Sequence, residues 1–402
     1  MTHTAFGFDG SDPQQSGFCP RRLARIREMF EAEVQRQRLP GAVAMVVRRG
    51  KLVLHEALGV QDPASRVPMV PDSLFRIYSM TKPIVSVATM MLVEQGKLLL
   101  SDPIARHLPE FDGVLVQAHV EGHAVLKKPR IAPTIHDLLR HTSGLTYEIL
   151  GNEPIQRLYA DADLWTRKKT NREFARVLAG FPLMFEPQTT FAYSRATDLL
   201  GTIIEVVSGQ SLGAFLQEHI LGPLGMHDTH FTVPESEHYR LAEPYAKCPD
   251  SGAQVELIDV RKAHPMESGG AGLVSTAADY ARFVQMLVQE GELGGHRLLA
   301  PNTVRNMTCD HLGSMDQHFT QRSGYMLARG VGFGLGFSVR LGEGQDNVPG
   351  SVGTYGWGGV AGTTFFVDPV KEFFAIFLTQ APNQRDHYRP LFRTLVYAAL
   401  ME

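Results

Sequence analysis

Strand-forming segments occupy both ends of this chain and are scarce between them, and that distribution limits the architectures open to it. Near the N-terminus, Leu23, Ile26, Met29, Phe30 and Val34 recur at helical spacing between Arg21 and Arg38, until Leu39-Pro40-Gly41 ends the pattern. The next segment, AVAMVVRRGKLVLHEALG, is rich in β-branched and apolar residues on both sides of Arg49-Gly50, which predicts a hairpin. Past Gly272, VSTAADYARFVQMLVQEGEL predicts a helix with Ser275 or Thr276 as N-cap. Strands follow in GFGLGFSVRL, TYGWGG and TTFFVDPVKEFFAIFLTQ, the last turning at Asp368-Pro369, and RPLFRTLVYAALM predicts a closing helix. The middle, roughly 84 to 265, has helical periodicity with glycine stops in HDLLRHTSG, NREFARVLAGF, ATDLLGTIIEVVSG and SLGAFLQEHILGPLG.

One sheet must therefore be built from both chain ends, with a helical lobe inserted between its strands. This predicts an α/β (α+β) fold in which residues 20–83 and 266–402 form one domain, residues 84–265 form a mainly helical insertion, and residues 1–19 are a flexible tail. Residues 148–170 and 310–330 lack clear periodicity, and long segments of this kind are expected to rim or cover a site.

Composition removes several classes of function. With 44% hydrophobic and 20% charged residues and a net charge of −3, nothing marks a nucleic-acid partner or an anionic-membrane surface, and the pairs Lys127-Lys128 and Lys168-Lys169 read as solvated loop charge. Cys19, Cys248 and Cys309 are far apart and in no CxxC spacing, which argues against a disulfide framework or a structural zinc site. The segment MTHTAFGFDGSDPQQSG lacks a basic start followed by an apolar run, and Ile84 to Val93 is too short to span a bilayer. The expectation is a cytoplasmic protein with no membrane span, metal or cofactor, acting on a small molecule.

The chemistry-bearing residues come in order. Ser79-Met80-Thr81-Lys82 sets a hydroxyl and an amine three residues apart where a helix begins, so they share a face. Pro83 is tolerated there because a first-turn residue has no intrahelical acceptor for its N–H. Taken alone, the tetrad also fits an N-capping serine followed by a solvated lysine. Two further motifs lie downstream: Tyr193-Ser194-Arg195 before a helix near Asp198, and Trp357-Gly358-Gly359 after a short strand.

This order of SxxK, a tyrosine-led triplet and WGG resembles the serine β-lactamase and penicillin-recognising superfamily. The WGG form resembles its β-lactamase-like (family VIII) carboxylesterases, and LLRHTSGL at 138–145 and SGGAGLVSTAADYARF at 268–283 are similar to connecting segments of that superfamily. The resemblance implies an antiparallel sheet flanked by terminal helices, with a cleft between sheet domain and insertion. It also implies Ser79 as nucleophile, Lys82 and Tyr193 as the proton-transfer pair, and the backbone N–H groups of Ser79 and Val360 as the oxyanion hole. Trp357, Gly358, Gly359 and Arg195 would then contact substrate. Such roles suit these residues, since a serine needs an adjacent base and a lysine serves as one when burial or a neighbouring cation lowers its pKa. Which of Lys82 and Tyr193 is the formal base stays open.

Two departures from the β-lactamase pattern bear on substrate. Trp357 stands where β-lactamases have the KTG lysine, and an indole with one N–H and a broad apolar face suits a neutral acyl or alcohol group. Arg195 stands where YxN has asparagine and is expected to return positive charge to the cleft. The expected function is a carboxylesterase for short- to medium-chain esters. The alternatives are a β-lactamase, D-amino-acid peptidase or acyltransferase on the same scaffold, or a non-catalytic ligand-binding or assembly member.

Other motifs compete. Gly209-Gln210-Ser211-Leu212-Gly213 matches the GxSxG nucleophile elbow, but a helix precedes it where the elbow requires a strand, so Ser211 is expected to be an N-cap after a Gly209 stop. His227 and His230 lack the HExxH spacing of a zinc site. Asp137 and His141, four apart on a predicted helix, are expected to form a local surface or packing pair.

Overall fold

The computed structural model describes residues 7–120, 123–315 and 327–402. A nine-stranded sheet runs in the order Asp9–Gly10, Lys51–Asp62, Gly41–Arg48, Phe373–Thr379, Thr364–Asp368, Tyr355–Gly358, Ser338–Arg340 and Val331–Phe333, with Val67–Pro68 added to Lys51–Asp62. Pairing is antiparallel except at Asp9–Gly10. The N-terminal hairpin and the C-terminal strands meet where Gly41–Arg48 pairs with Phe373–Thr379.

The two faces of the sheet follow from the period-2 geometry of a strand. Val43, Met45 and Val47 point to one face with Phe374, Ile376 and Leu378. Ala42, Ala44 and Val46 point to the other with Phe373, Ala375 and Phe377. Because both faces are covered, these strands read as continuous apolar runs. On the second face lie the terminal helices Pro20–Gln35 and Arg385–Ala399, which contribute Ile26 and Phe30, and Tyr388, Phe392 and Val396. The first face merges into one core with Thr81–Glu94, Ala196–Ser208 and Ala277–Val288. Thr81–Glu94 is apolar around most of its circumference and is buried accordingly, with Thr89 satisfied by donating to the Val85 carbonyl at 2.9 Å.

Three expectations need correction. Residues 7–19 are not a free tail, because Phe8 and Phe18 are buried, Asp9–Gly10 pairs with Lys51 and Leu52, and Phe18 bridges to Leu400; residues 1–6 lie outside the described residues. The middle of the chain contains a hairpin, Val116–Val120 with His123–Lys127. Its second strand is largely exposed, so no alternation of buried and solvated positions marks it in the sequence. Within 148–170, Pro154–Asp161 is a helix whose Glu153 and Gln156 form a capping box, too short to show a periodicity. Of the segment 310–330, residues 316–326 lie outside the described residues. Among the described residues, no single helix is long and apolar enough to cross a membrane.

Candidate active site

Ser79 sits in a 3-10 turn, Tyr78–Met80, that leads directly into Thr81–Glu94, so the serine is two residues before the start of the α-helix and the lysine is inside its first turn. The turn starts from a strained backbone, since Tyr78 has φ 45, a region that costs a bulky residue energy and persists only when its surroundings enforce it. Here the Ile258 N–H donates to the Tyr78 hydroxyl at 3.0 Å, the Tyr280 hydroxyl donates to the Met80 carbonyl at 3.0 Å, and the Leu273 N–H donates to Thr81 Oγ1 at 3.1 Å. Held in this way, Ser79 is part-exposed at a cavity wall and its Oγ lies 3.2 Å from Lys82 Nζ.

Lys82 is 1% exposed. Its Nζ contacts Gly270 O at 2.6 Å and the Tyr147 hydroxyl at 3.1 Å, and lies 4.6 Å from the centroid of the Tyr193 ring. Burial pushes its pKa down, Asp198 pulls it up and Arg195 pushes it down again, leaving it at about 7. Near neutral pH a large fraction is therefore the free amine. In that form one N–H is committed to the Gly270 carbonyl, a group that can only accept, and the lone pair can turn to the Ser79 hydroxyl.

Tyr147 is a member of the site that sequence reasoning missed. Its phenol is buried, and burial, with Asp198 and Tyr193, raises its pKa well above the ordinary value, so it stays protonated. The signal was available two residues past the LLRHTSGL segment, but a lone tyrosine there has no motif of its own. Tyr193 packs against Tyr147 with ring centroids 5.3 Å apart, and its hydroxyl accepts from Trp357 Nε1 at 3.2 Å. The third and second motifs are thereby joined to the first through hydrogen bonds and ring contacts.

Arg195 is placed differently from its expected role. It is 3% exposed and does not line the cavity. Its guanidinium pairs with Glu148 and, at 3.3 Å, with Asp198, and lies 4.8 Å from the Tyr147 ring centroid. Burial opposes its charge, but Glu148 and Asp198 outweigh burial and hold its pKa above the ordinary value. The positive charge that the sequence placed in the cleft is thus spent beneath it. Asp198 also accepts from Ser268 Oγ at 2.6 Å and Gly270 N at 2.9 Å, so the same carboxylate fixes the loop whose Gly270 carbonyl receives the Lys82 amine.

The cavity holds about 250 Å³ and is lined by Ser79, Tyr147, Tyr193, Trp357, Gly358 and Val360, with Ile149 and Trp165 from the 148–170 segment. Gly359 does not line it but lets the WGG segment approach the serine, since a Cβ there would collide with the Ile77 carbonyl. A Cβ on Gly358 would come within 2.8 Å of the Arg389 guanidinium carbon. Arg389 donates to the carbonyls of Gly359 and Thr363, and Arg385 donates to Val360 O at 3.4 Å, so the C-terminal helix braces this turn.

Of the competing motifs, Ser211 is an exposed N-cap that accepts from Ala214 N at 3.2 Å after a Gly209 C-cap with φ 74, and a helix precedes it. Asp137 and His141 do not pair. Asp137 caps its own short helix with Thr134 and bonds Thr142 and Arg140, while His141, past the helix end at φ 57, turns to Ser194 Oγ at 3.1 Å and packs under Tyr193. His230 bonds Val274 through its backbone. Among the described residues no group of His, Cys, Asp and Glu is arranged to hold a metal ion.

A sheet built from both chain ends, with Ser79 and Lys82 at the head of a buried helix and a glycine-rich strand end opposite, defines a β-lactamase-like protein. The chain belongs to the Beta-lactamase family, whose model matches residues 26–398. A Mycobacterium tuberculosis protein is 36% identical over 370 residues, covering 89% of this chain and 88% of that one. Esterase EstB of Burkholderia gladioli is 32% identical over 385 residues, covering 89% and 90%. Among solved structures, EstCE1, a hydrolase with promiscuous acyltransferase activity, superposes with a TM-score of 0.77 at 28% identity, covering 96% of this chain and 99% of that one.

Proposed function

We propose that this protein is a carboxylesterase that cleaves short- to medium-chain esters through an acyl-Ser79 intermediate. The observation that carries this reading is the Lys82 amine, buried, with its pKa near 7 and 3.2 Å from Ser79 Oγ at the wall of a cavity faced by Trp357. The Ser79 hydroxyl attacks the ester carbonyl and passes its proton into the Lys82 and Tyr193 pair. The oxyanion forms against the backbone N–H groups of Ser79 and Val360, with the helix N-terminus adding partial positive charge. The pair then protonates the leaving alkoxide. Water repeats the sequence on the acyl-enzyme, releasing the acid and restoring Ser79.

The indole of Trp357 offers its single N–H to Tyr193 and leaves an apolar face to the cavity, which suits a neutral acyl or alcohol group. The esterase named among the relatives supports the same choice. Transfer of the acyl group to an alcohol is the second reading, favoured by the acyltransferase activity of EstCE1, and differs only in which nucleophile meets the acyl-enzyme.

The test joins labelling with kinetics. An alkyl fluorophosphonate is expected to modify Ser79, located by mass spectrometry, and Ser79→Ala is expected to lose hydrolysis of p-nitrophenyl butyrate. Modification at Ser211 or full activity in Ser79→Ala would end the proposal. Faster turnover of nitrocefin than of the ester would move the function to β-lactam hydrolysis, and ester product in place of acid when an alcohol is added would move it to acyl transfer.

A further inference from the structure

The lining of the catalytic cavity changes from buried to open along one side. Tyr147 and Tyr193, which face Lys82, are buried, whereas Ile149 and Trp165 on the same lining are 46% and 37% exposed. Single exposed apolar side chains are ordinary on a protein surface, but two on the wall of one cavity present hydrocarbon where a bound molecule would cover it.

Both side chains are held in place. Ile149 is the middle residue of the 3-10 turn Glu148–Leu150, between a glutamate paired with Arg195 and a leucine buried in one cluster with Tyr193 and Phe333. Trp165 follows the buried Leu164 and lies between Asp163 and Arg167, whose φ values of 54 and 57 bend the chain on either side. Such backbone persists only when its surroundings enforce it. Here Thr166 Oγ1 donates to Asp163 Oδ2 at 2.7 Å, and Arg167 Nη2 donates to the Ala271 carbonyl at 2.7 Å.

One side chain joins the two segments. Arg195 pairs with Glu148, donating from Nε at 3.2 Å, and its Cζ lies 4.8 Å from the Tyr147 ring centroid and 5.5 Å from that of Trp165. A planar guanidinium can donate in a fork while its face rests on aromatic rings, and the compact ammonium of a lysine does not combine the two.

We infer that Arg195 is a positioning residue for substrate selection, which sets Ile149 and Trp165 as an apolar rim that takes the hydrocarbon chain of a medium-chain ester in preference to a short one. The inference rests on the esterase reading for the ester, and on the rim alone for the chain. The arginine in the Tyr193-Ser194-Arg195 triplet thereby acts on the shape of the cavity wall rather than on its charge.

Two homologous series locate the chain: p-nitrophenyl esters from acetate to hexanoate on the acyl side, and acetates from ethyl to hexyl on the alcohol side. In one series kcat/KM is expected to rise by about two- to fourfold per methylene, carried by KM, up to the limit set by full burial of each group. Ile149→Ala and Trp165→Ala should each cut kcat/KM for the six-carbon member about tenfold further than for the two-carbon member, and Trp165→Phe should recover most of that loss. Arg195→Lys should flatten the series in the same direction. Glu148→Gln, which keeps Arg195 paired with Asp198, tests the same link in a second way should Arg195→Lys not fold.

A rise with chain length that both alanine variants leave intact would overturn the rim. A rise lost in those variants but unchanged in Arg195→Lys and Glu148→Gln would overturn the positioning role of Arg195. Calorimetry with 1-propanol and 1-hexanol separates the rim from the esterase reading. Tighter binding of hexanol that weakens in Trp165→Ala, without turnover of any ester, would leave the rim standing and remove the esterase reading. Ester turnover that is flat with chain length in both series would do the reverse.

Discussion

Two cations are buried within the same lobe junction, Lys82 at 1% and Arg195 at 3% exposure, and their surroundings drive them to opposite ends of the protonation scale. Arg195 meets the carboxylates of Glu148 and Asp198 and is held charged. Lys82 meets a carbonyl and hydroxyls, has no carboxylate in ion-pair contact among the described residues, and is pushed to about 7. Burial is common to both, so it is the partner that decides whether a buried cation is a fixed charge or a base. Asp198 ties the regions together, because it pairs with Arg195 and also accepts from the N–H of Gly270, whose carbonyl receives the lysine.

The comparison breaks most visibly at Lys82. Lys82→Met should lower kcat/KM for p-nitrophenyl butyrate by about 10²–10⁴, the usual contribution of a positioned base. The same substitution should not destabilise the fold at neutral pH. The folded-state pKa of Lys82 is about 7 against 10.5 for the free side chain, so between these values the unfolded chain binds more protons and stability rises with pH. Methionine removes that dependence, which thermal melts at pH 7 and pH 10 would detect; a lower Tm at pH 7 than the parent would contradict the account.

Arg195→Met should do the reverse. It leaves Glu148 and Asp198 buried without their cation, at a cost of about 3–5 kcal/mol by chemical denaturation, the range for breaking a buried pair. If stability is unchanged, the ion pair is not what holds this corner.

A smaller effect lies in the pH profile. Activity through the free amine should rise with pH along an acid limb near 7. Asp198 raises the Lys82 pKa, so Asp198→Asn should move that limb to lower pH, measured in kcat/KM; an upward shift would mean that Asp198 acts chiefly through the Gly270 loop rather than through its charge. The smallest change is expected from Trp357→Phe. It keeps an aromatic face but removes the hydrogen bond to Tyr193, worth about 0.5–1.5 kcal/mol, and should lower kcat/KM by about two- to tenfold.

How much of this could be read beforehand depends on the range of the interaction. Helices and strands with one strong apolar pattern, such as Gly41–Arg48 and Pro20–Gln35, were legible because the pattern is local. The hairpin at Val116–Val120 and His123–Lys127 was not, because an exposed strand has no buried face to mark it. Ser79, Lys82, Tyr193 and Trp357 were singled out by spacing and order, and the structure places them together. Tyr147 carries no such spacing and reaches Lys82 only across 65 residues of chain. Arg195 shows the opposite limit, since its motif position was plain while its partner Glu148 lies 47 residues away.

By itself the sequence determined the sheet of two chain ends, the serine and lysine on one helical face, and the tryptophan in place of a cationic residue, because periodicity and short spacings are properties of neighbouring residues. Only the tertiary structure decided which cations are charged and where they act. Protonation depends on desolvation and on partners brought from distant segments, and these sank Arg195 beneath the site, pushed the Lys82 pKa to about 7, and set the arginines of the last helix against the Gly359 and Val360 carbonyls.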